Sequence, residues 1–182
     1  ETSVAAFTAA QKVEQIILTP LNSFGLTMAT YAAQNYGAGE MKRIQTGVRR
    51  CSAMSLSYTA VITALAFFAA RPLSGIFIKD APIVNDMAVT YLQVTCVLYW
   101  SLSLLFILRY TLQGLGQGLV PMIAGVMELI MRAVGCIILS KYFGFTGICV
   151  AYTLAWPGSL LPLAISYIIT IRKLLKKEKT CI

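Results

Sequence analysis

The chain has 182 residues, of which 58% are hydrophobic and only 12% charged, about half the charged share of a soluble domain, so it cannot cover a water-facing surface and lipid is the solvent its composition fits. The net charge of +8 does not point to nucleic acid, because the basic residues fall in short clusters between long apolar runs, as membrane topology signals do, without interleaved aromatics on a polar face. The absence of His removes His metal sites and His general bases, and Cys51, Cys96, Cys136, Cys149 and Cys181 show no C-x-x-C spacing, which leaves them as small hydrophobes.

A membrane-crossing helix needs about 20 apolar residues. The uncharged runs predict an all-α, polytopic transmembrane bundle of about five spanning helices, at 5–37, 47–70, 86–112, 119–140 and 146–171. The runs are too long for strands and do not alternate as barrel strands would. Gly37 and Gly39 close the first helix, and Pro72 and Gly75 the second, with Pro82 in the loop that follows. Gly114, Gly116 and Gly118 form a turn before Pro121, and Gly144 and Gly147 open the last helix. Residues 1–172 read as one helical lobe and 173–182 as a basic cytoplasmic tail.

Topology supports that count. Lys42, Arg43, Arg49 and Arg50 lie in the segment 39–50, and Arg172, Lys173, Lys176, Lys177 and Lys179 in the tail. If both are cytoplasmic, four helices must separate them, and Arg71, Lys79, Asp80, Asp86 and Lys141 then form a near-balanced outer set. The chain is expected in the plasma (inner) membrane, multi-pass, with a cytoplasmic C-terminus. Glu1 then falls outside with no signal segment to deliver it, so at least one further helix is expected upstream.

Polar residues inside spans are informative because lipid penalises them. In the first helix Gln15, Thr19, Ser23, Thr27, Thr30 and Gln34 recur every three or four residues on one arc, with Lys12 on it and Asn22 beside it. Such a face either lines a water-filled cavity or joins helices through small polar side chains. Glu14 lies off that arc. In the fourth helix Glu128 and Arg132 are four residues apart, on a face with Gly125 and Gly135. They form either an ion-linked switch or a structural pair, and Glu128 is expected to be the one acid deep in a span. Tyr91, Thr95 and Tyr99 share a face that suits stacking on a cationic or aromatic compound, or packing. Arg109 is expected to snorkel to the interface. The turn Gly114–Gly118 follows a helix and lacks the Lys and Ser/Thr of a phosphate loop.

Ala33-Gln34-Asn35-Tyr36-Gly37-Ala38-Gly39, followed by the basic stretch through Arg50, resembles the end of the eighth helix of the multidrug and toxic compound extrusion (MATE) family, NorM/DinF-like. Leu112-Gln113-Gly114-Leu115-Gly116 is similar to that family's turn after the tenth helix. Pro121-Met122 with Glu128 and Arg132 resembles its eleventh, and Phe143-Gly144, Gly147-Ile148 and Ala155-Trp156 its last loop and twelfth. The resemblance implies helices eight to twelve of a twelve-helix, two-lobed transporter, with the N-terminal lobe and seventh helix missing. It implies alternating-access export of organic cations by antiport with Na⁺ or H⁺, with no cofactor, no nucleic acid and no enzymatic step. Lipid-linked oligosaccharide flipping, known in the same superfamily, is the alternative. The partners expected are the lipid bilayer, a small cationic substrate and the missing lobe. Gln11, Lys12, Gln15, Asn22, Gln34 and Tyr99 are the expected cavity contacts, and Glu128 and Arg132 the expected coupling or structural pair. Two departures stand out. Ser101-Leu102-Ser103 occupies the region where the NorM branch carries an acid, and Gln113 stands where the family usually has Arg.

Overall fold

The computed structural model describes residues 2–77 and 82–180. Five helices follow in order: α1 (Thr2–Gly37), α2 (Met41–Phe77), α3 (Pro82–Cys96), α4 (Tyr99–Gly114) and α5 (Leu119–Thr180). Lys79 and Asp80, expected on the outer side, and the last two tail residues lie outside the described residues.

Three boundaries differ from the sequence expectation. The basic segment 39–50 is not a loop. The chain turns at Gly39, which has φ 78°, and α2 begins at Met41, so Lys42, Arg43, Arg49 and Arg50 project from its first turns. The expected third helix is broken in two, with α3 and α4 meeting at a 56° bend where Leu98 leaves helical geometry (φ −104°, ψ 6°). The expected fourth and fifth helices join through a single residue, Gly144 (φ 55°, ψ −130°), instead of a loop. A straight helix of 62 residues would run about 93 Å, three times the hydrocarbon core, so this glycine must turn the chain. It folds α5 into two antiparallel arms. A Cβ added at Gly135 would lie 3.1 Å from Ala151 Cβ, and Gly158 sits against Met131. The partners' numbers rise on one arm as they fall on the other.

The same logic sets the remaining directions. α1 and α2 are antiparallel, since the Tyr31 hydroxyl reaches the Arg43 carbonyl (3.4 Å) and the Tyr58 hydroxyl the Ile17 carbonyl (3.1 Å). α2 runs against the bent pair, with Thr63 Oγ1 donating to the Cys96 carbonyl (2.9 Å) and the Ser55 and Ser103 hydroxyls 2.5 Å apart. α1 runs parallel to the bent pair, with Glu14 beside Tyr91 and Asn22 beside Tyr110. The bent pair counts as one span and α5 as two, so five spans alternate in direction. By length and composition, Leu119–Lys177 and the bent pair are apolar enough to cross a membrane. α1 and α2 are long enough but carry the polar arc and the basic turns.

α4 forms the centre. Tyr99, Leu102, Leu105 and Leu112 are buried there with Cys96, Trp156 and Leu163 around them. At the basic end a second cluster, Ala32, Met41, Ile44, Leu115 and Ile171, ties the α1–α2 turn to the end of α5. The basic segment 173–180 continues the last helix, with Leu174 and Leu175 against that cluster. The Ser55–Ser103 contact predicts a modest effect. Ser55→Ala is expected to cost roughly 0.6 kcal/mol, the mean for interhelical bonds in membranes, seen as a lower thermal midpoint in detergent. A fall no larger than that of the exposed Ser57→Ala would show that the contact stabilises nothing.

Candidate functional site

The inner face of α1 carries Glu14, Leu21, Gly25, Met28 and Ala32, all buried. This stripe explains why Glu14 lies off the polar arc: it sits on the core face, among residues that pack against the bent pair. Glu14 is only 3% exposed. Its Oε2 accepts from the Tyr91 hydroxyl at 2.6 Å and its Oε1 from the Tyr99 hydroxyl at 3.4 Å. The two tyrosines lie on either side of the α3–α4 break, so the 56° bend is what lets both converge on one carboxylate. The expectation that Glu128 is the one deep acid is therefore corrected, because Glu14 is the more buried of the two. The signal available was its position on the apolar face of α1, where a carboxylate needs partners.

A cavity of about 260 Å³ opens beside it, lined by Gln11, Glu14, Gln15, Leu18 and Tyr152. An aromatic cluster backs the cavity: the Tyr152 ring centre is 6.2 Å from that of Tyr91 and 5.6 Å from that of Trp156, and Trp156 is 6.0 Å from Tyr99. A carboxylate beside aromatic faces suits a cation, since both the charge and the ring quadrupoles attract it.

Among the expected cavity contacts, Gln11 and Gln15 line this space, and Lys12 is exposed next to them. Asn22 is two turns further along, accepting from the Tyr110 hydroxyl at 2.8 Å. Gln34 is exposed near the basic end, twenty residues or about 30 Å of helix from Glu14, and does not join the cavity. Tyr99 is fully buried and acts by holding Glu14 rather than by lining the cavity. The polar arc of α1 faces outward. Thr19, Ser23 and Thr27 are exposed and donate to their own helix four residues back (2.8, 3.0 and 2.9 Å), so they do not join helices within this lobe.

Glu128 forms a second centre. Its Oε1 accepts from Arg132 Nη2 at 2.5 Å and its Oε2 from Arg109 Nη2 at 2.8 Å. Arg109 does not snorkel to the interface as expected. It turns inward because a carboxylate one helix away offers a charge-assisted bond that a desolvated guanidinium needs. The Arg132 guanidinium also lies over the Tyr152 ring, 4.3 Å from its centre, so Tyr152 separates the two acidic centres. In the Ser101–Ser103 region, where an acid was noted as missing, both serines are buried and Ser103 meets Ser55. The glycine turn closes α4: Gly116 has φ 79°, and the Gln117 amide donates back to the Leu112 carbonyl at 2.9 Å. No group of three or more metal-ligating side chains occurs among the described residues.

Comparison with known proteins bears on the family and the fold. The MatE family model matches residues 1–138. The chain is 24% identical over 151 residues to the FAD transporter of Shewanella oneidensis, covering 82% of this chain and 33% of that protein. Two solved structures, each described as a multidrug resistance MATE family transporter of the MOP superfamily, share the fold. The inward-facing structure has a TM-score of 0.86 at 14% identity over 96% of this chain, and the outward-facing structure 0.89 at 16% over 97%. This chain spans 43% and 40% of those two proteins. The match across three quarters of its length makes the chain a member of the MatE family, whose members are integral membrane transporters and not enzymes.

Proposed function

We propose that these residues are the C-terminal lobe of a secondary active exporter, which moves organic cations out of the cell against entry of Na⁺ or H⁺ by alternating access. The missing N-terminal lobe supplies the other wall of the substrate path, the C-terminus is cytoplasmic, and the plasma membrane is the site of action. The observation that carries this reading is Glu14, a carboxylate buried inside a span, clasped by two tyrosines and open on one side to a cavity. Ionisable groups in spans mark ion and substrate paths. The lobe's fold matches both inward- and outward-facing relatives, as expected of a unit that rocks without internal rearrangement.

Gln11, Lys12, Gln15 and Asn22 would contact the substrate from the exposed arc, with Tyr99 acting through Glu14 and Gln34 serving the cytoplasmic mouth. Glu128 and Arg132 would supply the state-dependent pair. A coupling ion drives transport only if it binds the two states differently, and a carboxylate that is clasped in one state and opened in another meets that condition.

A second reading has an anionic dinucleotide as cargo, favoured by the relative named as an FAD transporter. Lipid-linked oligosaccharide flipping gains no support, because Arg109 and Arg132, which would meet a pyrophosphate, both engage Glu128. The deciding measurement is ethidium efflux from cells expressing the full-length protein, with Na⁺ withdrawn or with the proton gradient collapsed. Efflux that fails under one condition supports antiport and names its ion. No efflux under any condition, with export of FAD instead, would replace the organic cation by the dinucleotide.

A further inference from the structure

Glu14 and Glu128 stand on different helices, and Arg132 and Tyr152 connect them. Arg132 donates from Nη2 to Glu128 Oε1 while its guanidinium rests on the Tyr152 ring, 4.3 Å from the centre. Tyr152 is a wall of the Glu14 cavity, and its ring packs 6.2 Å from that of Tyr91, whose hydroxyl donates to Glu14. The groups around Glu14 are Gln11 and Gln15 from α1, with Lys12 next to them, Tyr91 from α3, Tyr99 from α4, and Tyr152 with Arg132 behind it from α5.

The Glu128 centre contains two guanidinium groups and one carboxylate, a surplus of one positive charge. Arg109 occupies the second carboxylate oxygen at 2.8 Å, so Glu128 keeps a partner if Arg132 departs. Arg132 is also the more exposed of the two arginines, its side chain 30% accessible against 22% for Arg109. It already rests on the ring of Tyr152, a wall of the Glu14 cavity, and an aromatic face attracts a guanidinium.

We propose that Arg132 is a resident counter-cation that competes with the transported cation for Glu14, parked on Glu128 while Glu14 is otherwise neutralised and drawn across Tyr152 when Glu14 is ionised and empty. The inference rests on the cation-export reading. Its physical basis is the cost of leaving a carboxylate buried without a partner. An empty exporter must return through a closed state, and Arg132 spares Glu14 that uncompensated charge. Incoming cargo then sends Arg132 back to Glu128, so loading Glu14 changes the pairing of a second helix. In this scheme Arg132 is a positioning residue for the cation and need not touch it.

The test is ethidium affinity of the purified full-length protein in detergent, read by fluorescence. Arg132→Met removes the competitor and should tighten binding about fivefold, the lower end of intersite coupling. Glu128→Gln removes the parking place and should weaken it by about as much. Arg132→Lys keeps the charge and should stay near wild type. Opposite shifts are the signature that a structural ion pair cannot give, since breaking such a pair from either side weakens binding in the same direction. Shifts of one sign, or none, overturn the proposal, and if Arg132→Met does not yield monodisperse protein, Arg132→Gln gives the same reading. Glu14→Gln separates the two levels. If it abolishes ethidium binding while the Arg132 and Glu128 variants fail to diverge, only the counter-cation proposal falls. If Glu14→Gln binds ethidium as wild type does, the export reading at this site falls with it.

Discussion

Glu14→Gln is expected to abolish the dependence of transport on its coupling cation and to leave a folded protein. The substitution keeps shape and removes only the charge. The Tyr91 hydroxyl, now 2.6 Å from Oε2, can still donate to an amide oxygen, and the amide NH₂ can donate to the Tyr99 oxygen, so no buried polar atom is orphaned. Removing the negative charge is another matter for a cation in the cavity. Two unit charges about 4 Å apart attract by roughly 4 kcal/mol at an effective dielectric of 20, and part of that is offset by desolvating both. A loss of about a hundredfold in cation affinity, roughly 2.7 kcal/mol, is the expected result, measured as organic-cation binding and as efflux at varied Na⁺ and pH. Coupling that survives in a well-expressed Gln variant would remove Glu14 from the mechanism and return the role to Glu128.

The second large effect concerns the closest approach of two helices. Gly114 ends α4 against the backbone of Ala29 on α1, and a Cβ there would overlap the Ala29 carbonyl, with Ala29 Cα at 3.1 Å. Backbone cannot rotate out of the way as a side chain can, so α1 and α4 would have to part. That separation also loosens Gly25 from the Tyr110 ring it abuts. Gly114→Ala is therefore expected to cost about 3 kcal/mol, the upper end for overpacking, seen as a thermal midpoint several degrees lower and a poor yield of monodisperse protein. Gly125→Ala is the matched control. It has open space where its Cβ would go, and should be neutral or stabilising by up to about 1 kcal/mol through helix propensity. Equal behaviour of the two variants would show that the α1–α4 approach is looser than the geometry states.

The sequence determined this protein's solvent and its all-helical, polytopic class. Those follow from run length, from the scarcity of charge and from where the basic residues collect, all of which are local or summed properties. The pair Glu128–Arg132 was legible for the same reason, because residues four apart on a helix must meet. Tertiary structure alone decided the rest. Glu14 read only as a charge off the polar arc, and α3 and α4, more than seventy residues away, bring Tyr91 and Tyr99 to it. Arg109 read as a snorkelling side chain because it lies near the end of the expected third helix, and the carboxylate it meets, Glu128, is on another helix. The break at Leu98 and the hairpin at Gly144 were equally hidden. A bend inside an apolar run leaves its composition unchanged, and a single glycine can reverse a helix only when the opposite arm has a surface for it to pack on.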